Sequence, residues 1–146
     1  MANRDFNRIV LSMHIGAIAS ASNAAVLGSV QVPCACKVLD LRVKDTSAFT
    51  ASASVQNSIT IKSKLGTAAS ATVGAVSFLT TASGGTGNLT ARVPKSSLAG
   101  DTGVSLTAAN VDLPAGTVLD AISAKVGSGN SMTDVYVDLI CEPMTA

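Results

Sequence analysis

The chain has 146 residues, a length that fits one domain and is enough to bury an independent core. Hydrophobic residues make up 47% but aromatics only 3%, there is no Trp, and charged residues are 13% against about 25% in a typical soluble domain. The net charge is +1, no aromatic lies inside a basic run and no apolar run is long enough for a membrane span; this excludes the basic stripe with stacking platforms of a nucleic-acid binder.

The N-terminal segment 1–7, MANRDFN, is polar with one anchor, Phe6, and reads as an arm in which Asn3, Arg4, Asp5, Phe6 and Arg8 contact a neighbour. The start of the chain mimics a secretory signal, but Asp5 sits in the basic part, and Ser12, His14 and Gly16 interrupt the apolar part. Ile9, Leu11, Met13 and Ile15 instead alternate with Arg8, Ser12 and His14, the period of two that a strand requires. The same period recurs in KVLDLRVKD, where Leu39, Leu41 and Val43 alternate with Asp40, Arg42 and Lys44. It recurs again in SITIKSK, and in TDVYVDLICEP, where Val135, Val137, Leu139 and Cys141 oppose Asp134, Tyr136, Asp138 and Glu142. Each run reads as a half-buried antiparallel strand.

Turn clusters separate these runs: SASN, Pro33, TSAFTAS, SGGTGN, AGDTG, LPAG and GSGNS. The spacing predicts an all-β, antiparallel β-sandwich, jelly-roll-like, of about eight strands, at 8–16, 24–32, 36–45, 55–64, 72–80, 88–93, 117–126 and 133–142, in a single domain over 1–146. The Ala-rich stretch TAASATVGAVSFLTT has helix-forming composition, yet Thr72, Val73, Val76, Phe78 and Thr80 favour a strand. In LPAGTVLDAIS, Pro114 presets a turn and Gly116 permits its backbone, which leaves Asp120 as an outward charge near a strand start.

Residues with chemical potential are few. His14 is the only imidazole and shares a strand face with Ser12, but no nucleophile-elbow signature accompanies them, so His14 reads as an exposed polar position. Cys34, Cys36 and Cys141 with His14 would make a Cys3His set, but structural zinc usually shows two close pairs; buried reduced thiols are the simpler reading. Cys34 and Cys36 on one strand would stand about 6.5 Å apart, a poor disulfide. Asp134 and Asp138 share a face but lie about 13 Å apart, too far for a glycosidase pair. Asp40, Asp112 and Asp120 converge only if the tertiary structure brings them together. The glycine loops lack a following Lys-Ser/Thr and open no helix, so they are strand connections and not phosphate cradles. NLT at 88–90 is a glycosylation acceptor only in a secreted protein. We expect no catalytic, cofactor or metal site, and therefore no enzyme.

Read in order, VPCACKVLDLRVKD, SITIKSKLGT, LPAGTVLDAI and TDVYVDLICEP resemble the small jelly-roll decoration, or cement, proteins on tailed-bacteriophage heads, over roughly residues 24–143. The resemblance implies a virion structural protein, assembled in the host cytoplasm, that binds the major capsid protein on the head exterior and stabilises the shell. It brings no active-site residues with it. A charge-poor sandwich of this size has surface to bury, closed cyclic symmetry buries it economically, and a homotrimer suits the three-fold positions of a capsid. The alternative is a fibre-tip or receptor-binding module gripping host glycan, for which Tyr136 is the chief aromatic candidate.

Overall fold

The computed structural model describes residues 8–19, 23–53, 56–126 and 131–145. Alternating apolar and polar side chains give one face to a core and one to the outside, and every run read that way from the sequence is extended. There are ten strands: β1 (Ile9–Ile18), β2 (Val26–Gln31), β3 (Cys36–Asp45), β4 (Gln56–Lys64), β5 (Ala71–Ser77), β6 (Lys95–Ser96), β7 (Val104–Leu106), β8 (Asp112–Leu113), β9 (Val118–Val126) and β10 (Met132–Pro143).

They form two five-stranded sheets. Sheet A runs β1-β10-β3-β6, with β8 also on β3; sheet B runs β2-β9-β4-β5-β7. Every pairing of these strands is antiparallel. The pairs nest: β1 with β10, β2 with β9, β3 with β6, β4 with β5. One long hairpin rolled on itself produces this nesting, which is the jelly-roll form of the sandwich. The strand expected at 88–93 is absent. Leu89 makes a single bridge to Phe49 and the chain then turns, so the strand beside β3 is the short β6 instead. The Ala-rich stretch is strand β5, and the short β7 and β8 escaped the spacing rule because neither is long enough to alternate.

The inner faces meet in one core. Leu11, Met13, Leu41, Val43, Val137 and Leu139 of sheet A pack on Ile59, Ile61, Val73, Val76, Leu119 and Ala121 of sheet B. Most are fully buried, each contributing roughly 1.5–3 kcal/mol if Val or Leu-sized. One expectation about β3 needs correction. The register slips between Ile140 and Cys141, which pair with Asp40 and Val38, and leaves Leu39 without a cross-strand partner. This bulge shifts the phase at Val38, which points inward as Leu41 does and leaves Leu39 half-buried. Asp40 stays on the outer face with Arg42, but the 96–98 segment covers it, so it is buried instead of being a solvated strand charge.

The turn at LPAG forms as expected. Thr117 N–H and Oγ1 both donate to the Pro114 carbonyl, and Gly116, at φ 82°, donates its N–H to the Val32 carbonyl. Asp120 then projects from the outer face of sheet B, half-buried, where it accepts a hydrogen bond from Ser29 Oγ. No described helix is long and apolar enough to cross a membrane.

Candidate functional site

The outer face of sheet A carries the imidazole. β1, β10 and β3 lie side by side, and the register puts His14, Tyr136 and Lys44 in one transverse row. The rings of His14 and Tyr136 stack, with centroids 4.3 Å apart and planes 10° from parallel. Lys44 Nζ, on the strand at the other side of β10, lies over the Tyr136 ring at 5.4 Å from its centroid. His14 Nε2 meets Asp134 Oδ1 at 2.5 Å, and Thr46 donates to the other carboxylate oxygen at 3.2 Å. The hydrogen bond from His14 holds the Asp134 carboxyl below its ordinary range. His14 is thus exposed, as expected, but it is not an isolated polar position.

The chemistry open to this cluster follows from its order. In a nucleophilic triad the imidazole stands between hydroxyl and carboxylate. Here the carboxylate is in the middle, between His14 and Thr46, and Ser12 faces Asp138 one row away. The cluster orients an imidazole and orders a row of side chains on a flat face. Next to it runs a ladder of opposite charges: Asp138 pairs with Arg42 and Glu142 with Lys37 across β10 and β3. Such cross-strand pairs keep an outer face wet and in register.

Asp40 stands apart from the solvent. Its side chain is 1% exposed and accepts from Ser96 Oγ, Ser97 Oγ, Leu98 N–H and Arg42 Nε. Burial alone would raise its pKa; the donors from Leu98, Arg42, Ser96 and Ser97 outweigh burial and hold it below the ordinary value. This is a structural carboxylate that ties the 96–98 segment to β3. Asp40 does not meet Asp112 or Asp120: Asp112 pairs with Lys37 on β8, and Asp120 belongs to sheet B.

The cysteines do not gather with His14. Cys36 and Cys141 point into the core from adjacent strands and neighbour one another, whereas His14 projects from the opposite side of sheet A. Cys34 is half-buried in the bend before β3, so it does not share a strand with Cys36. All three are free thiols, and no group of three metal-ligating side chains forms among the described residues. Burial pushes the Cys141 thiol up to about 12 and raises that of Cys36 as well.

Sheet B presents a different outer face. Val26, Ile122, Thr60, Ala75 and Ser105 form an uncharged row across all five strands, and Ala124, Ser58 and Ser77 form a second row beside it. Their small side chains leave a shallow depression of about 430 Å³ between Ser58, Thr60, Ser77, Gly103 and Ser105. Charge appears only farther along the strands, at Asp120, Lys62 and Lys64.

No family model, curated protein or solved structure matches this chain.

The two outer faces differ: sheet A carries opposed charges along β10 and β3, whereas sheet B confines its charges to Asp120, Lys62 and Lys64 at one end and presents beside them an uncharged double row of hydroxyls, methyls and two branched aliphatics. Of the expected arm, Asn3, Arg4, Asp5 and Phe6 lie outside the described residues, and Arg8 is exposed just before β1. The contrast between faces was in the sequence as residue types. It could not be read there, because it appears only when the register aligns five strands drawn from positions 26 to 122.

Proposed function

We propose that this protein is a structural docking module of a virion, which binds the outside of a phage capsid as an oligomer and stabilises it. The observation that carries this reading is the contrast between the outer faces of the two sheets. A protein that coats a shell needs one surface that can be buried without stranding charges and another that stays hydrated. Burying an unpaired charge is costly, and the double row on sheet B has none. Sheet A, with Asp138, Arg42, Glu142 and Lys37 in opposed pairs, suits the solvent side.

Cosedimentation with phage heads that lack a decoration layer tests the reading. We expect the wild-type protein to bind, Thr60→Glu in the uncharged row to abolish binding, and Lys44→Glu on sheet A to bind as wild type. Binding unaffected by Thr60→Glu, or no binding to any such head, overturns the assignment. The glycan alternative has Tyr136 as its chief aromatic candidate; its ring is stacked against His14, with Lys44 Nζ 5.4 Å from its centroid.

A further inference from the structure

We infer that β1 is the seam of a two-fold homodimer, in which the β1 strands of two copies pair antiparallel and join two A sheets into one. The inference goes beyond the docking reading, because it concerns a different surface, the flank of the sandwich. An edge strand exposes a row of unpaired main-chain N–H and C=O groups, and natural proteins blunt such edges with brevity, bulges, charge or proline. The other edges of this fold are blunted. β7 has 3 residues, β6 and β8 have 2 each, and β2 has 6 with a register shift between Val26 and Gly28. β1 is the exception. It has 10 residues and pairs only with β10, and its sequence, IVLSMHIGAI, holds no Asp, Glu, Lys, Arg or Pro. Its irregularities come late, from the shift between His14 and Gly16 onward, which leaves Ile9–His14 in regular register. Among the described residues, no main-chain group outside β10 hydrogen-bonds to the main chain of β1.

The chemistry of the edge names its occupant. A strand is needed to satisfy a strand, and a strand without charges meets its own copy with no like-charge contact. A two-fold axis at Ser12, perpendicular to the sheet, places Ser12 opposite its own copy. It keeps the inward side chains Leu11 and Met13 on the core side of both sheets, because the shift preserves the period of two. The pairing is isologous and closes at two copies, in place of the three-fold association that capsid symmetry suggests. The flank is about 33 Å long for ten residues and about 20 Å deep for two sheets, on the order of 650 Å² per partner. That lies at the low end of stable interfaces, so the mass is followed over a wide concentration range.

Light scattering coupled to gel filtration, from about 1 to about 200 µM, tests the seam. We expect a mass rising from the 14.5 kDa of one chain to twice that value. Ser12→Lys sets two lysines against each other at the axis while Asp138 beside it accommodates the charge within one chain. It should weaken dimerisation at least about tenfold with unchanged far-UV circular dichroism. Val10→Lys, at a position 55% exposed on the same edge, serves as the second variant should Ser12→Lys fail to fold. Amide exchange along β1 should slow with concentration in the wild type and stay fast in either lysine variant. A trimeric mass, a monomer at the highest concentration, or a dimer indifferent to both lysines overturns the inference. A wild type that binds phage heads but stays monomeric in solution sinks the seam and leaves the sheet B docking face standing; a dimer that ignores heads does the reverse.

Discussion

Gly74 on β5 lies directly beneath Leu41 on β3: a Cβ at the glycine would come within 2.9 Å of Leu41 Cδ2 and 2.7 Å of the Ser105 carbonyl oxygen. The two sheets approach closely here, where a residue without a side chain meets a fully buried leucine. The leucine tip can shift, but the Ser105 carbonyl belongs to a strand and cannot.

Gly74→Ala should therefore destabilise by about 1–3 kcal/mol through overpacking, although alanine is otherwise neutral in a strand. Leu41→Ala should cost about 2–5 kcal/mol through the cavity it leaves. Urea unfolding measures both. A Gly74→Ala variant as stable as wild type would show that the sheets are not held at this spacing.

Asp40 yields a prediction about acid. Its carboxylate collects four donors in a site that water barely reaches, and its pKa is lowered. A lowered folded-state pKa stabilises the fold above the unfolded value of about 3.9, and that contribution is lost as pH falls through the folded value. Asp40→Ala should cost about 1–3 kcal/mol at neutral pH, because four donors around a buried acceptor lose it. The acid limb of its stability curve below about pH 4 should be shallower than that of the wild type. Thermal melts between about pH 2 and pH 7 decide this. Equal acid sensitivity in wild type and variant would refute the role.

How much of this was legible beforehand depends on the range of the contact. Alternation located β3 to the residue and β9 and β10 within one position, since period two is a local property. The burial of Asp40 was not legible, because the segment that covers it, 96–98, lies more than 50 positions away and meets β3 only in the folded chain. Nor was the strand beside β3, because β6 has only 2 residues and no pattern of its own. His14 was singled out as the lone imidazole, but its partner Asp134 lies 120 positions away and only the β1–β10 register brings them together. The uncharged double row on sheet B escaped for the same reason: its eight side chains come from five strands.

The thiols should separate into two classes. The thiolate is the reactive form, and burial raises the pKa of Cys36 and Cys141 while closing them to solvent. Cys34 is only half-buried. A disulfide reagent under native conditions should label one thiol per chain quickly, and Cys34→Ser should remove that phase. The other two should react only on unfolding. Native-state labelling of Cys141 at the rate of Cys34 would contradict the packing of this end of the core.

The last prediction concerns the row on sheet A. Asp134 is held below the ordinary carboxylate range first by its hydrogen bond from His14 and then by that from Thr46. His14→Ala removes the larger cause, so the Asp134 carboxyl should titrate at higher pH than in the wild type, towards about 3.9. His14→Phe separates the two functions of the imidazole, since it keeps an aromatic ring against Tyr136 but offers the carboxylate no donor. Asp134 should then titrate as in His14→Ala, while the ring protons of Tyr136 keep the upfield shifts that a stacked neighbour imposes. Carbon-detected titration of the Asp134 carboxyl, read beside the Tyr136 ring signals, resolves both effects in one sample. The direction is fixed by the chemistry: losing a donor to the charged form disfavours that form and can only raise the pKa. An Asp134 titration unmoved by both substitutions would mean that His14 and Asp134 do not share a proton in solution. The row would then be held by ring stacking and the Lys44 contact alone.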